Sequence, residues 1–225
     1  MEAVLRSGVR PVSLVEAVEA LRERSAERLV CVTFDDGYHD NLEYALPILR
    51  ELAIPATIFA PTALITGEAP LYWYPPGAEP PLLTWDEVAA VDREPLFDIG
   101  AHTRTHPALP RLSDDAAWDE IAGSKRDLEE RLGREVMTFA YPAGLHGARE
   151  MRLVRDAGYA AAVTTAPGRN DPGQPFEALH RMLIDGRDTL RMFEAKLAGL
   201  LDRPWGVDTL SRIPRRFLKH AQKPV

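Results

Sequence analysis

Two short runs of this 225-residue chain hold side chains that could do chemistry together: Thr33-Phe-Asp-Asp-Gly37 and His102-Thr-Arg-Thr-His106. They supply two adjacent carboxylates and two imidazoles, each directly after an apolar run that reads as a β-strand. One Asp and two His are enough to hold a divalent metal and leave positions open for water and substrate. The other Asp is then free to act as a general base. Alone, each run is ambiguous. An Asp after a strand commonly caps the next helix, and a His-x-x-x-His spacing also occurs on plain surfaces and in cores. Two like charges side by side are costly without a cation, and a metal that takes one of them as a ligand removes that cost. Thr103 stands where a His-Glu-x-x-His zinc protease motif needs its Glu, so that motif is excluded.

The elements that must position these residues alternate strand and helix. Ser13-x-x-Glu16 caps a helix over 13–24 with Leu14, Ala17, Val18 and Leu21 on one face. A strand over 29–34 leads into the Asp-Asp-Gly turn. A helix over 41–52 must kink or restart at Pro47. A strand over 56–60 precedes a proline-rich, loop-like stretch over 61–83 that contains Tyr72-Trp-Tyr74. Thr84-x-x-Glu87 caps a short helix to about residue 91, and a strand over 96–101 runs into the histidines. Ser113-Asp-Asp opens a helix over 113–132 that stops at Gly133. Strand 136–141, helix 147–157, strands 159–164 and 181–184, and helix 188–201 complete the chain.

Six strands interleaved with helices imply a parallel sheet with right-handed crossovers. Asp35 and Asp36 follow one strand, His102 and His106 another, and Tyr141-Pro142 a third. A barrel gathers the carboxyl ends of non-neighbouring strands at one rim. An open doubly wound sheet would place its site at a switch point, and no glycine-rich phosphate loop marks one. The expected fold is therefore α/β, a distorted or incomplete (β/α) barrel of TIM-like type. Residues 1–201 are expected to form one domain, followed by a basic tail over 202–225.

Hydrophobic residues make up 45% of the chain and charged residues 27%, which is globular and argues against disorder. A net charge of −7 lacks the basic surplus of a nucleic-acid binder. The tail is the exception, with Arg203, Arg212, Arg215, Arg216, Lys219 and Lys223 against Asp208. It reads as a solvated tail, with an anionic partner as the alternative. The single cysteine, Cys31, cannot form an internal disulfide and reads as a buried strand thiol. No signal peptide or transmembrane segment is visible, so the chain as written is expected in the cytoplasm, or outside it if the N-terminus is incomplete.

Thr33-Phe-Asp-Asp-Gly37, His102-Thr-Arg-Thr-His106-Pro107 and Phe139-Ala-Tyr-Pro-Ala-Gly144 resemble the first three motifs of the polysaccharide deacetylase family, the NodB-homology or carbohydrate esterase 4 group. The likeness covers about residues 11–200, with a Phe-Ala-Tyr-Pro variant of the third motif. It implies a distorted (β/α) barrel that removes acetyl groups from an N-acetylated glycan with a divalent ion, zinc first among the options. It also implies Asp36, His102 and His106 as metal ligands and Asp35 as general base. A backbone N–H at Tyr141 would stabilise the oxyanion, as in other acyl-transfer sites.

Two slots depart from the family pattern. The third motif commonly carries an Arg that orients the base, and here that slot is Ala140. Arg181, at the start of the last expected strand, is the candidate substitute partner of Asp35, with a surface arginine as the plain alternative. The family's late general-acid histidine has its only late counterpart in His180 of Leu179-His-Arg-Met182, and His146 competes for the role. His39 and His220 fit less well. Tyr72, Trp73, Tyr74 and Trp85 could form a sugar platform or simply cover the rim. A deacylase for a small non-sugar amide, or a metal-holding glycan-binding protein without turnover, are the alternative functions. The absence of Gly-x-Ser-x-Gly argues against a serine hydrolase.

Overall fold

The computed structural model describes residues 1–200. The basic tail expected over 202–225, with His220, lies outside the described residues. A short helix α1 (Glu2–Arg6) leads to β1 (Arg10–Pro11), α2 (Leu14–Arg22), β2 (Leu29–Val30) and β3 (Val32–Phe34). A π-helical turn (Asn41–Ala45) runs into α3 (Leu46–Glu51), followed by β4 (Ala56–Ala60), α4 (Thr62–Ile65), α5 (Trp85–Asp92) and β5 (Phe97–Ala101). Then come α6 (Asp114–Leu132), β6 (Thr138–Ala140), α7 (Ala148–Asp156), β7 (Ala161–Val163) and α8 (Leu190–Leu197).

The main sheet is parallel throughout and ordered β3-β4-β5-β6-β7. Sequential strands are spatial neighbours at every step, so the sheet has no switch point of the doubly wound kind. It curls into a half-barrel, as expected of a distorted (β/α) barrel. Every residue of β4 is buried, as in a parallel strand covered on both faces. Leu46, Leu49, Ile58, Ile99, Ile121, Leu128, Phe139 and Tyr141 form the main core between the sheet and its helices. All the strands point the same way, so Asp35, His102, Tyr141 and Thr164 emerge from one rim.

Local chemistry sets most element ends. The Ser13 hydroxyl accepts from the Glu16 amide at 3.1 Å, but Glu16 itself turns to Arg10 instead of closing a capping box. The Thr84–Glu87 box closes on both sides. Gly133 ends α6 in the left-handed region at φ 69°, where a side chain would be strained. Pro47 has no N–H to give to the preceding turn, and that turn widens so that the Leu46 amide reaches back to the Asn41 carbonyl.

The structure departs from the sequence reading in four places. The run 29–34 breaks at Cys31: its first half pairs with β1 and its second with β4. The short β1 carries a proline and gave no alternating signal. Residues 181–184 are not a strand. The edge of β7 is taken by a single bridge from Leu179 to Val163, and Leu183 and Ile184 lie exposed. Within 61–83, Thr62–Ile65 forms a helical turn. Cys31 is only partly buried, yet burial pushes its thiol up to about 12 and keeps it neutral. No helix of the described residues is long and apolar enough to cross a membrane.

Gly100 in β5 is the tightest point of the sheet beneath the histidines. A Cβ there would meet Phe59 at 2.5 Å and the Thr138 hydroxyl at 2.6 Å. Gly100→Ala should therefore destabilise the fold by about 1–3 kcal/mol, seen as a fall of several degrees in the thermal midpoint. An unchanged midpoint would mean that β5 has room to shift.

Candidate active site

The chain leaves β3 at Phe34 and turns sharply, with Asp36 and Gly37 both in the left-handed region. This aims the neighbouring carboxylates in different directions. Asp36 faces the carboxyl end of β5, where its Oδ1 lies 3.5 Å from His102 Nε2 and 3.4 Å from His106 Nε2. Both distances are long for a hydrogen bond, and Asp36 Oδ1 is buried with no hydrogen-bond partner among the described residues. Two ligands about 2.0–2.1 Å from a tetrahedral ion stand about 3.3 Å apart. Both carboxylate-to-imidazole distances are close to that spacing, and the donor atoms of the three residues lie within 4.8 Å of one another, a compact potential metal-binding group.

Each imidazole is fixed from behind. His102 Nδ1 lies 2.7 Å from the Ala140 carbonyl, so that nitrogen carries a hydrogen and Nε2 is the ring atom left to face Asp36. The loop between the histidines holds Thr103 and His106 in left-handed conformations. It is braced by the His106 amide donating to the Thr103 hydroxyl at 3.0 Å. The Tyr72 hydroxyl donates to the His106 carbonyl at 2.7 Å, and the Trp73 ring lies 4.6 Å from the His106 ring. Trp73 Nε1 in turn donates to the Tyr38 hydroxyl at 2.9 Å.

Asp35 takes the other direction and meets Arg181. The guanidinium donates to both carboxylate oxygens at 2.7 and 2.8 Å, the bidentate geometry that arginine favours. Arg181 also donates to the Thr33 hydroxyl at 3.0 Å and the Thr164 carbonyl at 2.9 Å, which locks it across the mouth of the half-barrel. The Asp35 side chain keeps 31% of its surface exposed against 1% for His102, so the base candidate faces solvent while the ligand cluster lies inside.

The charges follow this layout. Burial alone would raise the Asp35 pKa, but Arg181 and the two imidazoles outweigh it and hold it down at about 2. Burial likewise opposes ionisation of Asp36, and the imidazoles still keep its pKa low. Burial and repulsion from His102 bring His106 down to about 4. Burial also works against a charged His102, yet the Asp pair raises it above the ordinary 6.5.

Two of the remaining sequence candidates are placed differently. The Tyr141 amide, the expected oxyanion donor, gives its hydrogen to the Val163 carbonyl at 3.1 Å and is used up in the sheet. The expected general acid, His180, packs into the 168–178 loop with Nε2 3.2 Å from Gln174. Arg181 turns inward to Asp35, whereas its neighbour His180 is held against the loop by Asn170 and Gln174. His146 stacks on Tyr141 with ring centroids 4.8 Å apart, and its Nδ1 lies 2.9 Å from the Gly144 carbonyl. Trp85 leaves the aromatic group and packs against the core under Arg131. Thr33 and the Tyr72 hydroxyl escaped the sequence reading: only the fold brings them to Arg181 and His106.

A consecutive parallel half-barrel with a donor cluster on its carboxyl rim is the architecture of the NodB-type distorted (β/α) barrel. A family model described as polysaccharide deacetylase matches residues 22–162, and the chain belongs to that family. YxkH of Bacillus subtilis (strain 168), provisionally named a polysaccharide deacetylase, is 28% identical over 162 residues. That match spans 72% of this chain and 53% of the relative, so the chain covers about half the relative's length. The deacetylase PplD of Streptococcus pyogenes, solved with acetate, superposes with a TM-score of 0.75 at 24% identity, over 87% of this chain and 83% of that one. IcaB from Ammonifex degensii gives 0.74 at 25% identity, over 87% and 85%.

If Asp36, His102 and His106 hold one ion, the ion must displace the proton that His102 retains. Zinc affinity should then rise as pH is raised through and above 6.5, with proton release measurable by calorimetry in buffers of different ionisation enthalpy. Affinity that stays flat between about pH 6 and 8 would contradict this donor set.

Proposed function

We propose that this chain is a metal-dependent N-deacetylase that acts on an N-acetylated glycan. The observation that carries this reading is the buried, unpartnered Asp36 Oδ1 between two imidazole Nε2 atoms, beside an arginine-held carboxylate. A divalent ion in that cluster, zinc first among the candidates, supplies the polarisation of the acetyl carbonyl and the acidified water that a weak base such as Asp35 requires.

Asp35 stays ionised across neutral pH and takes a proton from the attacking water. Arg181 holds both carboxylate oxygens and fixes the direction in which Asp35 accepts. It thus fills from a distant segment the role that the third motif's arginine would have had at Ala140. With the Tyr141 amide engaged, the oxyanion falls to the next N–H of the motif. Pro142 has none, which leaves Ala143, at φ 52°, as the next candidate. His146 is the better candidate to protonate the leaving amine. Its Nδ1–H to Gly144 leaves Nε2 as the exchanging nitrogen, whereas His180 faces another loop.

The aromatic group favours a glycan over a small amide. Tyr72 and Trp73 are anchored on His106 and edge the cluster, and a sugar ring packs well against such faces.

Acetate release from N-acetylglucosamine oligomers by the zinc-loaded protein tests the assignment directly. Asp35→Asn should lower kcat by about 10²–10⁴ while zinc still binds. Arg181→Ala should lower kcat and move the acid limb of the pH–rate profile upward, because Asp35 loses the charge that depresses its pKa. His146→Ala should cost about 10²-fold or more, and His180→Ala should leave kcat nearly unchanged. No acetate from any glycan, with zinc bound, would favour a binding protein instead.

A further inference from the structure

The loop that carries both imidazoles is held from outside the cluster by one carboxylate on α6. Glu120 Oε2 accepts from the Arg104 amide at 2.8 Å and the Thr105 amide at 2.9 Å. Its Oε1 accepts from the Thr105 hydroxyl at 2.5 Å. The opposite edge of the same loop is tied to α4, whose Thr62 and Ala63 amides donate to the Thr103 and Arg104 carbonyls at 3.2 and 2.9 Å. Two residues of this five-residue segment, Thr103 and His106, are left-handed without being glycine, and each costs about 1–3 kcal/mol unless its surroundings enforce it.

The helix is shaped to its cargo. Arg104 lies flat on α6 with Nε and Nη2 on Asp127 at 2.9 and 2.7 Å. Directly beneath it, within the 19-residue helix, stands Gly123, where a Cβ would meet Arg104 Nε at 2.6 Å. A glycine inside a helix costs about 1 kcal/mol against alanine, and the close approach of Arg104 accounts for it here.

We infer that Glu120 is a positioning residue: by gripping the amides of residues 104 and 105 it sets the distance and angle between the His102 and His106 Nε2 atoms, and so the affinity and geometry of the ion they share. Glu120 touches neither imidazole and has no role in proton transfer. The inference rests on the metal reading above and adds to it where the strength of the site comes from.

Zinc and cobalt(II) titrations of the unaltered protein, Glu120→Gln, Thr105→Val and Glu129→Gln separate the possibilities. Glu129 is the matched control: it lies on the same helix and also accepts a backbone amide, that of Val136 at 3.0 Å, but leads to β6 instead of the histidine loop. Glu120→Gln should weaken zinc binding about 10–100-fold and change the visible spectrum of bound cobalt. Thr105→Val, which removes one of three hydrogen bonds, should give a smaller loss and serves if Glu120→Gln does not fold. Glu129→Gln should bind as the unaltered protein does. Equal affinity and an unchanged cobalt spectrum in both loop variants, or an equal loss in Glu129→Gln, would overturn the inference. Failure of the unaltered protein to bind either ion would instead sink the metal reading, and this inference with it.

Discussion

A carboxylate oxygen buried between two imidazoles, too far from either for a hydrogen bond, is the constraint around which the rest of this fold is arranged. Without an ion, Asp36 Oδ1 is a buried carboxylate oxygen with no hydrogen-bond partner among the described residues, and an uncompensated buried charge costs several kcal/mol. A cation at the same place would satisfy all three donors at once. On the proposed reading, ion binding would turn a locally unfavourable arrangement into a favourable one. The two aspartates, adjacent in sequence, end up in different surroundings. Asp36 is turned inward by its left-handed backbone, and Asp35 is drawn outward by Arg181.

Backbone strain marks the same places. Among the described residues six non-glycines have positive φ, and four of them, Asp36, Thr103, His106 and Ala143, fall in the three motifs at the rim. Such conformations persist only where neighbouring structure over-determines them. Here that structure is the Thr103 hydroxyl under the His106 amide, Glu120 under residues 104 and 105, and Thr165 on the Ala143 carbonyl. The half-barrel serves as the rigid base from which these brackets reach upward.

Much of this was legible in the chain, and the limit is physical. The five-residue apolar run of β4, the caps at Ser13, Thr84 and Ser113 and the stop at Gly133 are local signals, and each element lies where its local chemistry put it. Asp35, Asp36, His102 and His106 stood out because the two short motifs that hold them each begin at the end of a strand. The pairing of Arg181 with Asp35 was also within reach, since an arginine missing from one motif sends the search to others. What escaped depends on contacts with no spacing of their own. The engagement of the Tyr141 amide by Val163 depends on strand register. The loss of a strand at 181–184 depends on β7 having its edge filled by Leu179. The placing of His180 depends on its contacts with Asn170 and Gln174, and Glu120 sits fifteen residues from the loop it holds.

The account is tested most directly by anomalous diffraction at the zinc edge from crystals of the full chain soaked in zinc. A single strong peak is expected, about 2.0–2.2 Å from Asp36 Oδ1, His102 Nε2 and His106 Nε2, with Asp35 outside the coordination sphere and still paired to Arg181. A cluster without density after soaking, or a peak bound by Asp35 in place of Asp36, would contradict it.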